Sequence, residues 1–522
     1  MQPLLRSTPL WVLLGGLLAS TSSAQCGDEL GVIYPSSLVA GRFGYSIAVE
    51  GNLAVVGSPN DDDPSHNGGS ASVVDLVSMQ ELRRLVPHDT SNNTNAGRSV
   101  DLSGTTAIVG MPGKDDDQGA AYLFDTATGS ELFQLLSDDG SPADFFGQSV
   151  AIDGPYAIVG APGNRNEQIH SGSAYVFVVA TGMQARELLP PVLGEEDQFG
   201  AAVAMHGSQA LIGAPGDDGA GDVRLDQGRA FLVHMPTQSL TPLEALDATA
   251  GDHFGSAVAL NETLAVVAAN HDEFPTSPTG SVYVFDAATG VQLTKLLPPD
   301  PTSGAFGQSV AVHGTHVLVG DNTVRIDGEI AVGAAYLFDG ITGELLSTLI
   351  ASDWAAFDEL GRGVALSGSR ALVGCILDDA WANNAGSVYV FDAQHHSYAY
   401  CSSNPNSTGS TASISACGST SLAANDLTLM ASPVPDTPYL FFFGANPQET
   451  PFGDGFLCTQ GSIQRLGPAQ TASGNLATRV VDLPSAGITS PGTLRFQCWY
   501  RDQAAGGAGF NTSDAVAVVF SP

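Results

Sequence analysis

The chain has 522 residues, 61 of them Gly, with only 14 % charged residues and a formal net charge of −36. An acid excess of that size argues against nucleic acid or anionic lipid as partner, since both would be repelled. A chain this long exceeds one small core and calls for several domains or a repeat array. The wealth of Gly and scarcity of Lys favour short strands joined by tight turns over helices.

In chain order, Arg6 gives a short positive start, Leu10 to Leu18 an apolar stretch, and Ser22-Ser23-Ala24 the small residues read by a signal peptidase. Residues 1–24 are therefore expected to be a secretory signal, too short to anchor the chain in a bilayer. Gln25 stands where a lipoprotein signal before Cys26 would need a small residue, so lipidation is not expected. No later stretch is apolar enough to span a membrane, and the mature chain is expected to be secreted or held at the cell surface.

Residues 25–397 carry a repeat. One unit runs Phe146-Gly147-Gln148-Ser149-Val150-Ala151-Ile152, then Ala157-Ile158-Val159-Gly160-Ala161-Pro162, then Gly172-Ser173-Ala174-Tyr175-Val176-Phe177. Its leading glycine recurs at Gly44, Gly97, Gly147, Gly200, Gly255, Gly307 and Gly361. Each unit offers four strand-like runs: an alternating run, a Gly turn such as Asp153-Gly154, a run ending near Val-Gly-Ala-Pro, an aromatic run such as Tyr283-Val284-Phe285-Asp286, and a last run after Ala288-Thr289-Gly290. Four antiparallel strands repeated seven times predict a seven-bladed β-propeller. After Tyr389-Val390-Phe391-Asp392 no fourth run follows, whereas Gly31-Val32-Ile33-Tyr34 precedes the first unit, so the N-terminal strand is expected to complete the last blade and remove an open edge.

These residues resemble the FG-GAP repeat of integrin α-chain propellers and many bacterial surface proteins. Phe-Gly stands at Phe43, Phe146, Phe199, Phe254 and Phe306 and Gly-Ala-Pro at Gly160 and Gly213, while Ala96-Gly97 and Leu360-Gly361 depart from the pattern. The resemblance implies a recognition or adhesion propeller. It does not carry over the integrin Ca²⁺ sites, because the turns between first and second strands, such as Glu50-Gly51-Asn52 and Ser103-Gly104-Thr105, are too short and too poor in acids for an oxygen cage.

Carboxylates instead crowd the loop between the second and third strands. Asp61, Asp63, Asp115, Asp117, Asp217 and Asp222 are the candidate Ca²⁺ ligands, on a face shared with Asp144, Asp197 and Asp252 of the links between blades. Solvated turn formers are the competing reading of the same runs. No other cofactor is indicated.

Residues 398–522 turn to Ser, Thr, Asn and Gly, with strand-like runs at Leu440-Phe441-Phe442-Phe443, Leu494 to Tyr500 and Ala515 to Phe520. A small β-sandwich is expected. The stretch resembles a C-terminal module of assorted secreted bacterial proteins through Asn425-Asp426-Leu427, Pro451-Phe452-Gly453 and Trp499-Tyr500-Arg501-Asp502, which implies a fold class and no activity. Six cysteines behind a signal peptide suggest disulfides. Cys26 and Cys375 would share the last blade. Cys401, Cys417, Cys458 and Cys498 allow three pairings, of which Cys401–Cys458 with Cys417–Cys498 is preferred.

No Gly-x-Ser-x-Gly elbow, phosphate-cradling loop or metal-spaced His pair stands out, and adjacent Asp residues on one loop seldom hold the separation glycoside hydrolysis needs. The chain is therefore expected not to be an enzyme but to present its acidic loop face to an extracellular glycan or protein. An inert envelope or matrix component with a C-terminal attachment module is the alternative, and a polysaccharide hydrolase or lyase the more distant one.

Overall fold

The structure, a computed structural model, describes residues 29–520 except 37–40, 167–168, 193, 219–225, 238, 273–278, 300–303, 327–328, 381, 383, 394–396, 401–402, 418–421, 423–426, 474 and 505–506. The expectations placed on residues 1–24, Cys26, Asp222 and Cys401, and on the side chain of Cys417, lie outside the described residues.

Seven four-stranded antiparallel sheets follow one another, each with its strands in sequential order apart from the last. The third sheet is typical: Ser149–Asp153, Tyr156–Ala161, Ser173–Val178 and Met183–Leu188 pair in turn. The seventh consists of Leu360–Ser367, Arg370–Cys375 and Ser387–Asp392 and is completed by Glu29–Ile33, with Val32 opposite Tyr389. First and last repeats are thereby joined by backbone hydrogen bonds, and the ring has no unpaired outer strand there.

Local chemistry explains the hairpins. The turn between third and fourth strands carries Asp, Thr and Gly in fixed order: Asp286 Oδ1 accepts from Thr289 N at 2.8 Å and Thr289 Oγ1 at 2.7 Å, and Gly290 follows at φ 70°, where a side chain would be strained. The same arrangement occurs at Asp125-Thr128-Gly129 and Asp339-Thr342-Gly343. Packing between blades rests on glycine. An added Cβ at Gly160 would stand 2.9 Å from the carbonyl carbon of Gly200 in the next blade, and Gly57, Gly110, Gly213, Gly320 and Gly374 occupy equivalent positions. Buried Phe and Tyr rings fill the space further out, as where Phe146 meets Tyr175 and Phe177 at 5.5 and 5.8 Å.

The C-terminal strands form two principal sheets. One contains Ser397–Tyr400, Phe510–Phe520, Gly492–Arg501 and Pro438–Gly444; the other contains Ser413–Cys417, Thr428–Ser432 and Ala477–Val480. Phe441, Phe496 and Val518 of the first share one core with Ile414, Leu429 and Ala477 of the second, as a sandwich requires. Among the described residues, no helix is long and apolar enough to cross a membrane.

Two of the proposed disulfides are not formed. Cys375 and Cys498 are free thiols, both wholly buried. They occupy inward positions of their strands and act as small apolar side chains; the Cys375 Sγ points at the Asp358 carbonyl, 3.3 Å away. Burial drives both thiols well above the ordinary cysteine range. Cys26–Cys375 and Cys417–Cys498 are thus corrected, and Cys401–Cys458 stays an expectation.

Candidate functional site

Strand one of every blade starts, and strand two ends, on the same side of the ring. The loops between strands two and three, the links between blades, and the residues just after each repeat glycine therefore share one face.

The loop acids on this face are mostly engaged. Three residues beyond the end of strand two stand Asp61, Lys114, Asn164, Asp217, Asp272, Val324 and Asp378 in successive blades. In the fifth blade, Asp272 and Asp247 both accept from the Tyr283 hydroxyl, at 2.8 and 2.9 Å, and both lie 2.7 Å from Lys295 Nζ. In the third, Asn164 Nδ2 donates to the Tyr175 hydroxyl, which donates to Asp139. In the seventh, the Tyr389 hydroxyl donates to Asp353 at 2.6 Å and to Asp378 at 3.3 Å. Each such tyrosine ties its own blade to the preceding link.

A second set of acids sits in the links. Asp144, Asp197, Asp252 and Asp358 are buried and each accepts from a backbone N–H three residues earlier, at 2.7, 2.8, 2.5 and 2.6 Å. Burial raises all four carboxyls, Asp197 to about 7 with help from the charge of Asp217, and Asp358 to about 6 with help from Asp378 and Asp353.

The described candidate Ca²⁺ ligands are divided among three blades, Asp61 and Asp63 on the first, Asp115 and Asp117 on the second and Asp217 on the fourth. Asp61 and Asp63 both grip Arg84, Asp115 grips Lys114, and Asp217 holds Arg229 Nε at 2.6 Å. Asp115, Asp116 and Asp117 lie in a left-handed turn, and the carbonyls of Asp116 and Asp117 accept from Ala143 N and Phe145 N of the next link. Among the described residues, no three of His, Cys, Asp and Glu are gathered as a metal requires. Asp61, Asp63, Asp115 and Asp217 thus spend carboxylate oxygens on the protein's own cations, and the described members of the set are not gathered as a Ca²⁺ cage.

The residues that sequence reasoning passed over line the axis. Directly after each repeat glycine come Tyr45, Arg98, Gln148, Ala201, Ser256, Gln308 and Arg362, which ring an open cavity of about 240 Å³. The next residues point their hydroxyls away from it: Ser46, Ser99, Ser149 and Ser309 donate to the repeat-glycine carbonyl of the following blade at 2.7 to 3.0 Å. Ile47, Val100 and Val364 also line the cavity and are its apolar part. Arg98 and Arg362 stand over the Tyr45 ring, with their guanidinium carbons 4.9 and 4.3 Å from its centroid, and Arg362 Nη2 donates to the Tyr45 hydroxyl. The signal was present in the repeat: beside a constant glycine, the position after it changes from each blade to the next.

A search of curated proteins finds no match. The FG-GAP repeat family profile matches residues 40–74, 79–124, 130–177, 183–233, 239–285, 291–338 and 345–391, one match for each blade. The chain belongs to the FG-GAP repeat family, as a seven-bladed β-propeller followed by a C-terminal all-β region.

Proposed function

We propose that this is a secreted or cell-surface recognition protein which binds an extracellular glycan or protein with the face carrying the inter-strand loops, and which performs no chemistry on it. The observation that carries this reading is the way the acids of that face are used. Tyr283, Lys295 and backbone N–H groups hold Asp247, Asp252 and Asp272 in place, so the face is a stiff platform. A preorganised surface loses little entropy on binding. Its loops differ from blade to blade on a repeated frame, the arrangement by which recognition surfaces vary specificity. FG-GAP propellers typically serve recognition or adhesion, which supports the same assignment.

The test is a binding screen of residues 25–522 against immobilised glycans and matrix proteins, in calcium and in chelator. Saturable binding that persists in chelator is expected. Product release from a polysaccharide, abolished by a single substitution at the axis, would replace recognition with catalysis.

A further inference from the structure

Two of the chain's few cations stand together at the axial mouth. Only 18 of 522 residues are Lys or Arg. Arg84, Arg229 and Lys295 have carboxylate partners at ion-pair distance. Arg98 and Arg362 have no carboxylate partner at ion-pair distance among the described residues: they share the axial mouth with Tyr45, which favours the charge on Arg98, while Arg362 and Arg42 oppose it. Burial and these like charges lower the Arg98 guanidinium from its ordinary value. Partly desolvated like charges facing a cavity without a counter-charge are costly, and an oxyanion accepting from both would relieve that cost.

Resting on the recognition reading above, we infer that the axial mouth binds the terminal carboxylate sugar of an otherwise neutral carbohydrate. The planar guanidinium forks match a carboxylate in geometry. Gln148 and Gln308, on the same ring, each offer an amide with both donors and an acceptor, the complement of sugar hydroxyls. A volume of about 240 Å³ holds one sugar-sized group and lies below the usual range for larger ligands. On the same face, exposed Asp62 and Asp63 of the first blade and Asp115, Asp116 and Asp117 of the second add negative charge on one side of the approach. That charge repels polyanions and admits a ligand carrying a single acidic end.

The experiment is calorimetric titration of residues 25–522 with methyl β-glucuronide, methyl β-glucoside, sodium sulfate and a sulfated polysaccharide, repeated on Arg98→Gln and Arg362→Gln. Melting curves establish that each variant is folded. The glucuronide is expected to bind with an affinity that falls roughly tenfold or more in each variant, as loss of one charge-assisted hydrogen-bonding partner implies. The neutral glucoside and the polysaccharide are expected not to saturate. No glucuronide binding by the unaltered chain, equal binding by a folded Arg98→Gln variant, or sulfate binding as tight as glucuronide would each overturn the assignment. Glycan or protein binding that Arg98→Gln leaves unchanged would overturn the axial site and spare the recognition face. Failure of every immobilised partner alongside glucuronide binding in solution would remove the wider reading and keep the axial one.

Discussion

Replacing Gly160 with Ala tests the closest contact between blades. The backbone there is not in the left-handed region, so Ala meets no conformational obstacle, and the cost is one of packing. The new Cβ would lie 2.9 Å from the Gly200 carbonyl carbon and nearer still to the Gly200 oxygen and Ser149 Oγ. Carbon atoms in contact prefer about 3.5–4.0 Å and the oxygen contact is the tighter one, so the blades must part by roughly 1 Å or more. Overpacking of that order costs about 1–3 kcal/mol, and breaking the 2.7 Å bond from Ser149 Oγ to the Gly200 carbonyl adds about 1 kcal/mol. In a cooperative unit of this size the melting temperature should fall roughly 3–5 °C. The fifth blade supplies an internal comparison: it carries Ala268 in place of this glycine and Ala257 in place of the serine. The double variant Ser149→Ala with Gly160→Ala should therefore cost less than the sum of the single changes. Calorimetry of the three variants beside Gly154→Asn decides the matter, because position 154 is open, at φ 55°, and Asn tolerates that backbone. A Gly160→Ala protein melting within about 1 °C of the unaltered chain, or strict additivity with Ser149→Ala, would refute the reasoning.

Three further outcomes are expected. Tyr283→Phe removes the hydroxyl that joins Asp247 to Asp272 and should destabilise by about 1–3 kcal/mol, read as a lower denaturation midpoint at unchanged slope; an unchanged midpoint would show the latch contributes nothing. Asp358, raised to about 6 in the folded chain, favours folding in its protonated form, so its contribution is full below about pH 4 and lost as pH rises through about 6. Asp358→Asn should accordingly flatten the decline in stability across that window by up to about 3 kcal/mol, and an equal decline in both proteins would contradict the assignment. Cys375 and Cys498 should resist a thiol reagent in the folded protein and react on unfolding, and peptide mapping that found either in a disulfide would restore the discarded pairings.

The fold was legible because its tightest contacts admit so few residues. A carbonyl pressed against the neighbouring blade demands Gly160 and its equivalents, and the repeat is the record of that demand. Where the demand relaxes the motif degenerates without loss of structure: Ala96 and Leu360 bridge to Gly69 and Gly333 as Phe146 does to Gly119. The cysteines misled for a related reason. An even count behind a leader suggests pairs, but burial makes a thiol interchangeable with a small apolar side chain, and nothing in the spacing of Cys375 or Cys498 separates the two uses.

The acids were legible as a face and illegible as a site, and the difference lies in what stands opposite them. Asp61 reads alike in sequence whether it meets a bound ion or Arg84, and Arg84 comes from the fourth strand, 23 residues on, through a register that only the folded sheet displays. At the corresponding place opposite the third strand the other blades carry Gln134, Glu187, Pro242, Lys295, Thr348 and Val32. The partner of a loop acid is thus chosen locally, even where the tyrosine latch to the preceding link recurs, as at Tyr175, Tyr283 and Tyr389. The axial ring is the reverse case. Its seven side chains meet at one point, so a substitution in any blade changes the same cavity, and packing sets no repeat rule there. Two arginines beside one tyrosine break the sevenfold pattern, in a cavity whose lining, among the described residues, carries no acid. Conformity at Gly160 and its equivalents reports what the ring needs to close, and divergence one residue after each repeat glycine reports what the closed ring is free to bind.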